Sequence, residues 1–394
     1  MNAILINSLA DGGAEKIALT VIEELVRRGH QIKLICLEKN HYYRIPKGVD
    51  VLYLSNATGY ENGIIKVLNL PLLAIRLSRL IRKFKIHVVQ SHLFRANYVN
   101  VLAKKMGAGH RSQLVNTGSI TAKYSKAGIH GKINLMLIRL LYPKADCLIS
   151  KSKGMVIDLD KRFHFIVPNI FIYNPIQLNQ IQSKQKDIVS EKEFLFSAQR
   201  KYIITMARMN PQKCLDILIH AFATISDQLM DTDLIFLGDG NEKIKLEKLV
   251  VNLNLKHRIF FVGRVRNPYK FLNRSNMFVL PSATEGFPNS LVEAMSCRLP
   301  VISTDCMSGP REILSPETDV SHQIQNHIEY APYGVLVPIK NHKLLAEAMK
   351  KLLEDKALSQ KYAKKGYERA CMFALDKIID QYEKILIHED YGQQ

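Results

Sequence analysis

Tryptophan is absent from this chain, and several features that define other protein classes are missing as well. The six cysteines are scattered and include no CxxC pair, which argues against a disulfide framework or a zinc site. No segment contains 18 uninterrupted apolar residues, so no membrane-spanning helix is predicted. The N-terminus, MNAILINSLADGGAEK, has no basic region before its short apolar run, so a signal peptide is not expected. These absences favour a cytoplasmic protein with reduced thiols.

Acidic residues are scarce in the first half of the chain. Residues 1–200 contain 30 Lys and Arg against 13 Asp and Glu, whereas residues 201–394 contain 25 against 23. Within 51–150 the imbalance is 15 against 2. A general bias toward lysine should raise both halves, so the asymmetry favours an anionic partner for the first half.

Apolar runs of strand length alternate with helical patterns along the chain. This alternation predicts an α/β fold with parallel sheets covered on both faces. The pattern breaks in the polar, Gln-rich stretch near Pro175 and then restarts. The sequence therefore predicts two doubly wound domains, 1–170 and 201–372, joined by a linker at 171–200. Residues 342–388 read as helical, and 373–394 form a C-terminal helix that can cross back to the first domain.

Two cations follow a predicted strand in 203-IITMARMNPQKCLDILIHAF-222. Arg208 is expected at the carboxyl end of that strand. The next helix is expected to begin near Gln212 or Lys213, which places Lys213 at its start. Open α/β sheets bind ligands at this edge, where two cations and a helix N-terminus suit a diphosphate. The alternative is a pair of solvated surface cations. The glycine pair in 7-NSLADGGAEKIAL-19 has two similar readings, an anion-binding turn or a tight turn that needs small residues.

Two glutamates flank a Gly-Phe-Pro turn in 284-TEGFPNSLVEAMSCRLPVIST-304. Ser290 or Asn289 is expected to cap the following helix. Glu293 has a structural alternative, because Ser290-x-x-Glu293 has the form of a capping box. Glu285 has no evident local task, and at a ligand-binding edge either carboxylate could accept hydrogen bonds from hydroxyl groups.

These motifs, taken in order, give a family resemblance. The second half resembles the retaining glycosyltransferases of the two-Rossmann GT-B type, group four. The likeness rests on Arg208 and Lys213 in ARMNPQK and on Glu285-x7-Glu293 followed by LPVISTD. Further matches are the Gly-Asp-Gly turn, GGAEKIA near the start, Asn174-Pro175-Ile176 and GVLVP at 334–338. Cys214 departs from the pattern, because relatives usually have glycine there, and the helix start is expected to differ accordingly.

The resemblance implies a fold of two Rossmann-like domains facing across a cleft, and a role for each matching residue. Arg208 and Lys213 would hold the diphosphate of a nucleotide-sugar, Glu285 would lie by the donor sugar, and His92 would be a cleft histidine. By spacing alone, His92 is equally well a satisfied histidine at a strand end. The residues expected to bind the donor are Gly12, Gly13, Arg264, Val265, Phe287, Asn289, Ser290, Leu291 and Glu293.

The implied reaction is transfer of a sugar with retention and without a metal. Asp231-Thr232-Asp233 has DxD form, but it enters a strand at the end away from the ligand edge. The stretch 303-STDCMSGPREIL-314 resembles that of relatives that use N-acetylhexosamines, and this resemblance implies UDP-GlcNAc or UDP-GalNAc as the donor, with no further cofactor. The acceptor would be a lipid-linked or polysaccharide glycan. Two alternatives are a two-domain UDP-sugar epimerase and a basic, non-catalytic nucleic-acid-binding protein. The second is disfavoured because no recognised binding motif is visible, so no nucleic-acid partner is expected.

The stretch 64-IIKVLNLPLLAIRLSRLIRKFK-85 combines apolar residues with cations on one face. It has the pattern of a membrane-surface helix and, equally, of an amphipathic helix with a solvated face. We expect the basic first domain to meet an anionic membrane or the acceptor's diphosphate, which would make the protein peripheral on the inner face of the plasma membrane. The residues assigned to this role are Arg76, Arg79, Lys83, Lys123 and Tyr124.

Overall fold

A computed structural model describes residues 1–10, 12–59, 63–124 and 128–389. The chain divides into two compact units. The first contains Met1–Pro175 and the segment from Leu375 onward, and the second contains Ile176–Ala374. The described residues from Leu375 onward thus belong to the first unit, although they follow the second in sequence.

The strands of the first unit form one sheet. Its described residues give seven strands in the order β3-β2-β1-β4-β5-β6-β7, all paired in parallel. This is the doubly wound order, which reverses direction between β1 and β4. Runs such as Ala3–Ile6 are fully buried, as expected for strands covered on both faces. The strands are β1 Asn2–Ile6, β2 Ile32–Cys36, β3 Val51–Tyr53, β4 Val88–His92, β5 Arg111–Val115, β6 Cys147–Ser150 and β7 Asn169–Phe171.

Helices of the first unit pack on both faces of this sheet through apolar stripes. Ser152 caps one of them by accepting a hydrogen bond from the amide of Met155 at 3.3 Å. The helices are α1 Gly13–Arg27, α2 Gly63–Leu68, α3 Leu70–Phe84, α4 Phe94–Lys105, α5 Ile120–Tyr124, α6 Gly128–Leu141 and α7 Lys153–Phe163. The C-terminal helix, Leu375–Leu386 (α16 in chain order), packs against α1.

The second unit repeats the architecture. Its strands, all within the described range 128–389, form a sheet in the order β10-β9-β8-β11-β12-β14-β13 that reverses between β8 and β11. Pairing is parallel except between β13 and β14, which are antiparallel. The strands are β8 Lys201–Met206, β9 Thr232–Leu237, β10 Ile259–Gly263, β11 Met277–Leu280, β12 Val301–Thr304, β13 Glu329–Ala331 and β14 Gly334–Val337.

The helices of the second unit include two that are capped by side chains at their starts. Asn341 accepts from the amide of Leu344 at 3.1 Å, and Asp355 from the amide of Leu358 at 2.9 Å. The helices are α8 Leu178–Lys184, α9 Leu215–Ile225, α10 Lys243–Asn252, α11 Tyr269–Leu272, α12 Asn289–Ser296, α13 Pro310–Leu314, α14 His342–Glu354 and α15 Lys356–Ala370.

The segment expected as a linker, 171–200, differs from that prediction. Its first residues end β7 and the first unit, and the part from Ile176 onward is built into the second unit, where it contains α8. The polar, Gln-rich composition misled the prediction, because α8 is short and buries only Ile181. The amide of Ile176 also donates to the carbonyl of Phe373 at 2.8 Å. The segment where the chain enters the second unit therefore lies beside the segment where it leaves.

Candidate active site

The expected site residues of the second unit follow two adjacent strands. Arg208 lies two residues beyond β8, and Glu285 five residues beyond β11. These strands pair in parallel, with Met277 opposite Ile203. Because the sheet order reverses between them, their carboxyl ends border the crevice where open α/β sheets bind ligands. The order of the strands alone therefore brings the two motifs together.

The segment after β8 begins with a short turn rather than the expected helix. Residues Pro211–Lys213 form a single 3₁₀ turn, in which the side chain of Asn210 accepts from the amide of Gln212 at 3.1 Å. The helix α9 starts only at Leu215. The predicted start near Gln212 or Lys213 was thus wrong. Cys214 separates turn from helix in the left-handed region, with φ of 46°, which is the conformation that glycine adopts without strain.

Close backbone packing holds this segment against the Gly-Asp-Gly turn after β9. The amide of Met209 donates to the carbonyl of Asp239 at 2.9 Å. A Cβ added at Gly240 would lie 2.7 Å from the carbonyl carbon of Met209 and would overlap its oxygen, and one at Gly238 would overlap the oxygen of Ala207. The glycines are therefore required by the approach of two loops, and they fix the backbone on either side of Arg208.

Lys213 and Glu285 are in direct contact. Lys213 Nζ lies 2.6 Å from Glu285 Oε1, and the hydroxyl of Ser282 donates to the same oxygen at 2.7 Å. The two loops are further joined by the amide of Ala283, which donates to the carbonyl of Gln212 at 2.9 Å. A cation and a carboxylate that stand 72 residues apart in sequence are thus held at one point of the crevice.

Glu293 lies on α12, the helix that follows the Glu285 loop. It is buried, and its Oε1 accepts a hydrogen bond from the hydroxyl of Tyr269 at 3.0 Å. The capping alternative was wrong, because Pro288 is the N-cap and Ser290 lies inside the helix. The amide of Leu291, a residue expected to bind the donor, already donates to the carbonyl of Pro288 at 3.1 Å.

The remaining donor-site candidates of the second unit lie close to the same edge. Arg264 and Val265 follow β10, whose last residue, Gly263, accepts from the amide of Gly238 at 2.8 Å. Arg208 and Arg264 are both exposed. Phe287 is buried, and its ring packs edge-on against Phe373 with centroids 5.3 Å apart. Asn289 is the first residue of α12. Their expected roles in donor binding stay predictions.

In the first unit, the glycine pair lies at the start of α1. Gly12 is the N-cap, and a Cβ there would overlap the carboxylate of Glu15. The helix terminus is therefore already beside an acidic side chain, which would repel an added anion. This favours the tight-turn reading for Gly12 and Gly13. Asp11 lies outside the described residues.

His92 ends β4, next to the point where the first sheet reverses, and is 1% exposed. Its Nε2 lies 3.2 Å from Gln90 Oε1. Among the described residues, Nδ1 has no hydrogen-bond partner. Burial, together with the nearby ammonium of Lys151, holds the pKa of His92 well below its ordinary value. The alternative that His92 is a histidine with all its hydrogen bonds satisfied therefore fits Nε2 and does not fit Nδ1.

The basic helix α3 has a buried and an open face. Leu70, Leu73 and Leu77 are buried, as the amphipathic alternative requires. Apolar side chains are nevertheless exposed alongside the cations, with Leu68 73% and Leu72 46% exposed. In the part of the chain that the structure describes, no helix is long and apolar enough to cross a membrane. Arg76, Arg79 and Lys83 are exposed on α3.

Lys123 and Tyr124, on α5, are held by aromatic packing. The Lys123 ammonium lies 4.6 Å from the centroid of the Phe94 ring, and the Tyr124 ring packs edge-on against Phe94 at 5.1 Å. Tyr124 is thus partly built into the core. Residues 125–127, which follow α5, lie outside the described residues.

The DxD-like sequence has a structural role. Asp233 is buried at the start of β9 and pairs with Arg258 at 3.0 Å and with Arg200. Asp231 pairs with Lys201 at 3.0 Å. These ion pairs lie at the amino end of the strand, away from Lys213 and Glu285.

Comparison with known proteins decides the family. A sequence profile described as Glycosyl transferases group 1 matches residues 187–369, and one described as Glycosyltransferase Family 4 matches residues 11–180. A Campylobacter jejuni protein is 31% identical over 385 residues, which cover 98% of each chain. It is named N-acetylgalactosamine-N,N'-diacetylbacillosaminyl-diphospho-undecaprenol 4-alpha-N-acetylgalactosaminyltransferase. The chain belongs to the family 4 glycosyltransferases.

Other relatives of this glycosyltransferase agree on the fold. An uncharacterized glycosyltransferase of Methanocaldococcus jannaschii is 33% identical over 79% of this chain and 82% of its own. The sucrose-phosphate synthase of Thermosynechococcus elongatus superimposes with a TM-score of 0.79 at 18% identity, over 98% of both chains. The structure of Anabaena HepE with UDP and glucose superimposes with a TM-score of 0.76 at 18% identity, over 98% of this chain and 99% of its own. The predicted GT-B fold is confirmed.

The sequence did not predict three side chains that lie beside the expected site residues in the structure. Ser282 and Tyr269 bond the two glutamates, and the buried Lys151 lies near His92. Ser282 lies two residues beyond β11, in the same loop as Glu285, so its position offered a signal. Tyr269 and Lys151 stand far from their partners in sequence, and nothing local marked them.

Proposed function

We propose that this glycosyltransferase moves an N-acetylhexosamine from a UDP-sugar to a lipid-linked glycan, with retention and without a metal. The observation that carries the proposal is the Lys213–Glu285 contact at the reversal point of the second sheet, beside Arg208. It combines a group that suits a phosphate with a group that suits a sugar hydroxyl. A non-catalytic nucleic-acid binder would have no need of this pairing.

The cations act on the leaving group. Breaking the bond between the sugar and the phosphate leaves negative charge on the nucleoside diphosphate. Arg208 and Lys213 stabilise that charge more than they stabilise the bound donor, which lowers the barrier. An ammonium has three N–H donors, and the contact with Glu285 uses one of them.

The carboxylates bind hydroxyl groups. Glu285 accepts from the donor sugar and thereby sets its position relative to the phosphates held by Lys213. Glu293, oriented by Tyr269, accepts from the ribose. The backbone near Arg264 and Val265 contacts the base. Positioning of this kind lowers the barrier by making the reacting atoms neighbours before the reaction begins.

Retention follows from attack on the same face as the departing phosphate. The acceptor hydroxyl forms the new bond to the anomeric carbon, and its proton passes to the phosphate oxygen that leaves. A double displacement would need a carboxylate nucleophile opposite the leaving group. Glu285 already pairs with Lys213 on the phosphate side, which favours the single-face route.

The relatives support the substrate class. The Campylobacter jejuni relative is named as an N-acetylgalactosaminyltransferase acting on a diphospho-undecaprenol-linked sugar. A Bacillus anthracis relative, 24% identical over 95% of this chain, is named N-acetyl-alpha-D-glucosaminyl L-malate synthase. Both names specify an N-acetylhexosamine. They support UDP-GalNAc or UDP-GlcNAc as the donor for this chain.

A donor panel tests the proposal. Purified protein is incubated with UDP-GalNAc, UDP-GlcNAc, UDP-galactose or UDP-glucose and a polyprenyl-diphosphate-linked sugar, with and without a chelator. We expect transfer from an N-acetylhexosamine donor, an α-linked product, and equal rates with the chelator. Epimerisation of a donor without acceptor would favour the epimerase alternative, and loss of transfer on chelation would contradict metal independence.

The first unit offers a surface for an anionic membrane. Residues 62–145 carry 15 Lys and Arg and no Asp or Glu. The start of α2 lies against α6, because a Cβ at Gly63 would be 3.7 Å from His130. Apolar side chains among cations suit the boundary between lipid headgroups and acyl chains. The exposed apolar set is Ile64, Ile65, Val67, Leu68, Leu72, Ile75, Ile129, Met136 and Leu140.

Liposome flotation tests this peripheral association. We expect recovery with anionic vesicles to exceed recovery with neutral ones, and to fall when Arg76, Arg79 and Lys83 are changed to Gln. Changing Lys361, Lys364 and Lys365, which are exposed on α15 of the second unit, removes the same charge as a control. Equal recovery with both vesicle types would remove the electrostatic claim.

A further inference from the structure

Buried side chains connect His92 to the C-terminal helix through three hydrogen bonds. Gln113 Nε2 lies 2.7 Å from the carbonyl oxygen of Ile385. Gln90 Nε2 lies 2.9 Å from Gln113 Oε1, and His92 Nε2 lies 3.2 Å from Gln90 Oε1. Gln90 and Gln113 are completely buried. These side chains come from adjacent strands, β4 and β5, and the chain of bonds ends on α16.

We call the three hydrogen bonds that join Ile385, Gln113, Gln90 and His92 the relay. The carbonyl of Ile385 fixes the direction of every hydrogen bond in it. A carbonyl oxygen only accepts, so Gln113 must present its NH₂ group to it and its oxygen to Gln90. Gln90 must then donate to Gln113 and present its own oxygen to His92. That oxygen also only accepts, so the proton of the imidazole must lie on Nε2. The orientation of both amides, and the tautomer of the histidine, follow from one backbone group.

The end of α16 makes the Ile385 carbonyl available to this relay. The last four carbonyls of an α-helix lack intrahelical N–H partners, and Ile385 is the penultimate residue of α16. The next carbonyl, that of Leu386, accepts from the side chain of Asn2 at 2.7 Å. Side chains of the first sheet therefore cap the end of this helix, and one of those caps extends to His92.

Nδ1 of His92 is left as an acceptor without a donor. Burial and Lys151 keep the imidazole neutral by lowering its pKa, so the ring carries a single proton. Nδ1 is buried and unpartnered among the described residues. A buried acceptor left unsatisfied destabilises the folded state, so such atoms call for an explanation. A hydroxyl of a substrate would supply the missing donor.

We propose that Gln113 and Gln90 are positioning residues that hold His92 in the tautomer protonated on Nε2, so that Nδ1 accepts a hydrogen bond from a hydroxyl of the bound substrate. The assignment of that hydroxyl to a sugar rests on the proposed function. Because His92 is 1% exposed, the hydroxyl must displace the side chains that now cover Nδ1. The tautomer itself is a property of the first unit and is measurable without any substrate.

Nitrogen-15 NMR of protein labelled on histidine tests the tautomer directly. The His92 resonances are assigned by their loss in His92→Gln. In wild type we expect Nε2 to have the shift of a protonated ring nitrogen and Nδ1 that of an unprotonated one. Gln113→Leu removes the acceptor that orients Gln90, so both His92 shifts should move toward the average of two exchanging tautomers.

Two further variants control for structural damage. Gln113→Glu, protonated in its buried site, still donates to Ile385 and accepts from Gln90, so the wild-type shifts should persist. Tyr142→Phe removes two buried hydrogen bonds, to Asn97 and Asn116, outside the relay, and should also leave the shifts unchanged. A proton on Nδ1 in wild type, or unchanged shifts in a folded Gln113→Leu, would overturn the assignment.

Kinetics separate the role of Nδ1 from the proposed function. In His92→Asn the amide oxygen occupies about the position of Nδ1 and remains an acceptor, whereas in His92→Gln the amide takes the position of Nε2. We expect kcat/KM to be higher for His92→Asn by about fivefold, the value of one neutral hydrogen bond. Equal kcat/KM would refute the substrate contact. A wild type without transfer would refute the proposed function and leave the tautomer result standing.

Discussion

At the scale of single residues, the proposed contact of Glu293 with the ribose depends on its hydrogen bond with Tyr269. The hydroxyl of Tyr269 donates to Glu293 at 3.0 Å within a buried contact, which orients the carboxylate before the ligand arrives. We predict that wild type binds UDP more tightly than 2′-deoxy- or 3′-deoxy-UDP, and that Tyr269→Phe lowers this discrimination by about fivefold. Calorimetric titration of the three nucleotides into both proteins measures the effect.

The comparison with deoxy-nucleotides also separates orientation from general damage. Glu293→Gln should abolish the discrimination, because an amide cannot replace both acceptor oxygens. A Tyr269→Phe protein that weakens all three nucleotides by the same factor would argue that Tyr269 only supports the fold.

Cys214 shows what the sequence could and could not predict about a residue. The family resemblance marked this position as an exception to a glycine. It predicted a different helix start, but it did not predict that Cys214 keeps the left-handed backbone, with φ of 46°, or that α9 begins as late as Leu215. That outcome depends on the turn at Asn210 and on packing against neighbouring loops, which no local propensity encodes. The Ser290-x-x-Glu293 pattern failed for the same reason, because a tertiary partner, Tyr269, bonds the carboxylate.

At the scale of elements, the loops of the proposed donor site depend on glycines that let two backbone segments approach each other. Gly240→Ala would bring a methyl group against the carbonyl of Met209 and displace the segment that carries Arg208. We predict at least about a tenfold loss in UDP affinity, while far-ultraviolet circular dichroism stays native. Gly366→Ala is the matched control, since its Cβ would meet only atoms at 3.6 Å or more. Unchanged affinity in Gly240→Ala would show that this loop does not hold the donor.

The contact between α16 and β6 predicts a dependence of stability on pH. Lys151, which follows β6, donates to the hydroxyl of Tyr382 on α16, and burial lowers the pKa of Lys151 to about 7. Between pH 7 and its ordinary pKa of 10.5, the unfolded chain binds a proton that the folded chain lacks. The free energy of unfolding should therefore rise with pH above 7, by up to about 1.4 kcal/mol per pH unit. Below pH 7 the buried lysine is charged, and the full cost of burying that charge lowers the stability of the folded protein.

Lys151→Met should remove this rise. The window from pH 7 to 9 is suitable, because the pKa of His92 is lowered and that of Tyr382 is raised by burial, so neither titrates there. Thermal melts of both proteins at several pH values measure the difference. Parallel pH profiles for wild type and Lys151→Met would contradict the buried, titrating lysine.

Strands with strong apolar runs were predicted from the sequence, whereas two short edge strands and one short helix were not. The sequence predicts strands at 3–6, 32–37, 87–90, 202–207, 233–237 and 277–280. The central strands β1, β2, β4, β8, β9 and β11 lie within two residues of these positions. By contrast, β7 and β13 have three residues each and lie at sheet edges, where one neighbour suffices and the apolar signal is weak. The linker prediction failed at α8 for a related reason, because a helix with one buried residue has almost no amphipathic pattern.

For the whole molecule, the charge asymmetry follows the division into units. The excess of cations lies in the first half of the sequence, and the candidate residues for the donor lie mainly in the second unit. The sequence predicted this division because the charge of each half and the order of the motifs can be read without coordinates. It could not predict that the segment from Leu375 onward, which was expected only to cross back to the first domain, supplies the partners of Gln113 and Lys151.

The site as a whole was predictable where strand order alone brings residues together. Motifs after β8 and β11 converge because the sheet reverses there, and this follows from any doubly wound order. Residues that orient the candidates, such as Ser282, Tyr269 and Gln113, act through tertiary contacts that no motif records. The resemblance named the groups proposed to do chemistry, and the structure added those that position them.

Turnover of Arg208→Ala and Lys213→Ala, at saturating donor and acceptor, tests the central claim most directly. The exposed Lys245 on α10 provides the matched control, Lys245→Ala. If the two cations stabilise the departing diphosphate, each substitution should lower turnover by about 100-fold or more while the fold and the control remain normal. Near-normal turnover in both variants, with intact folds, would contradict the account.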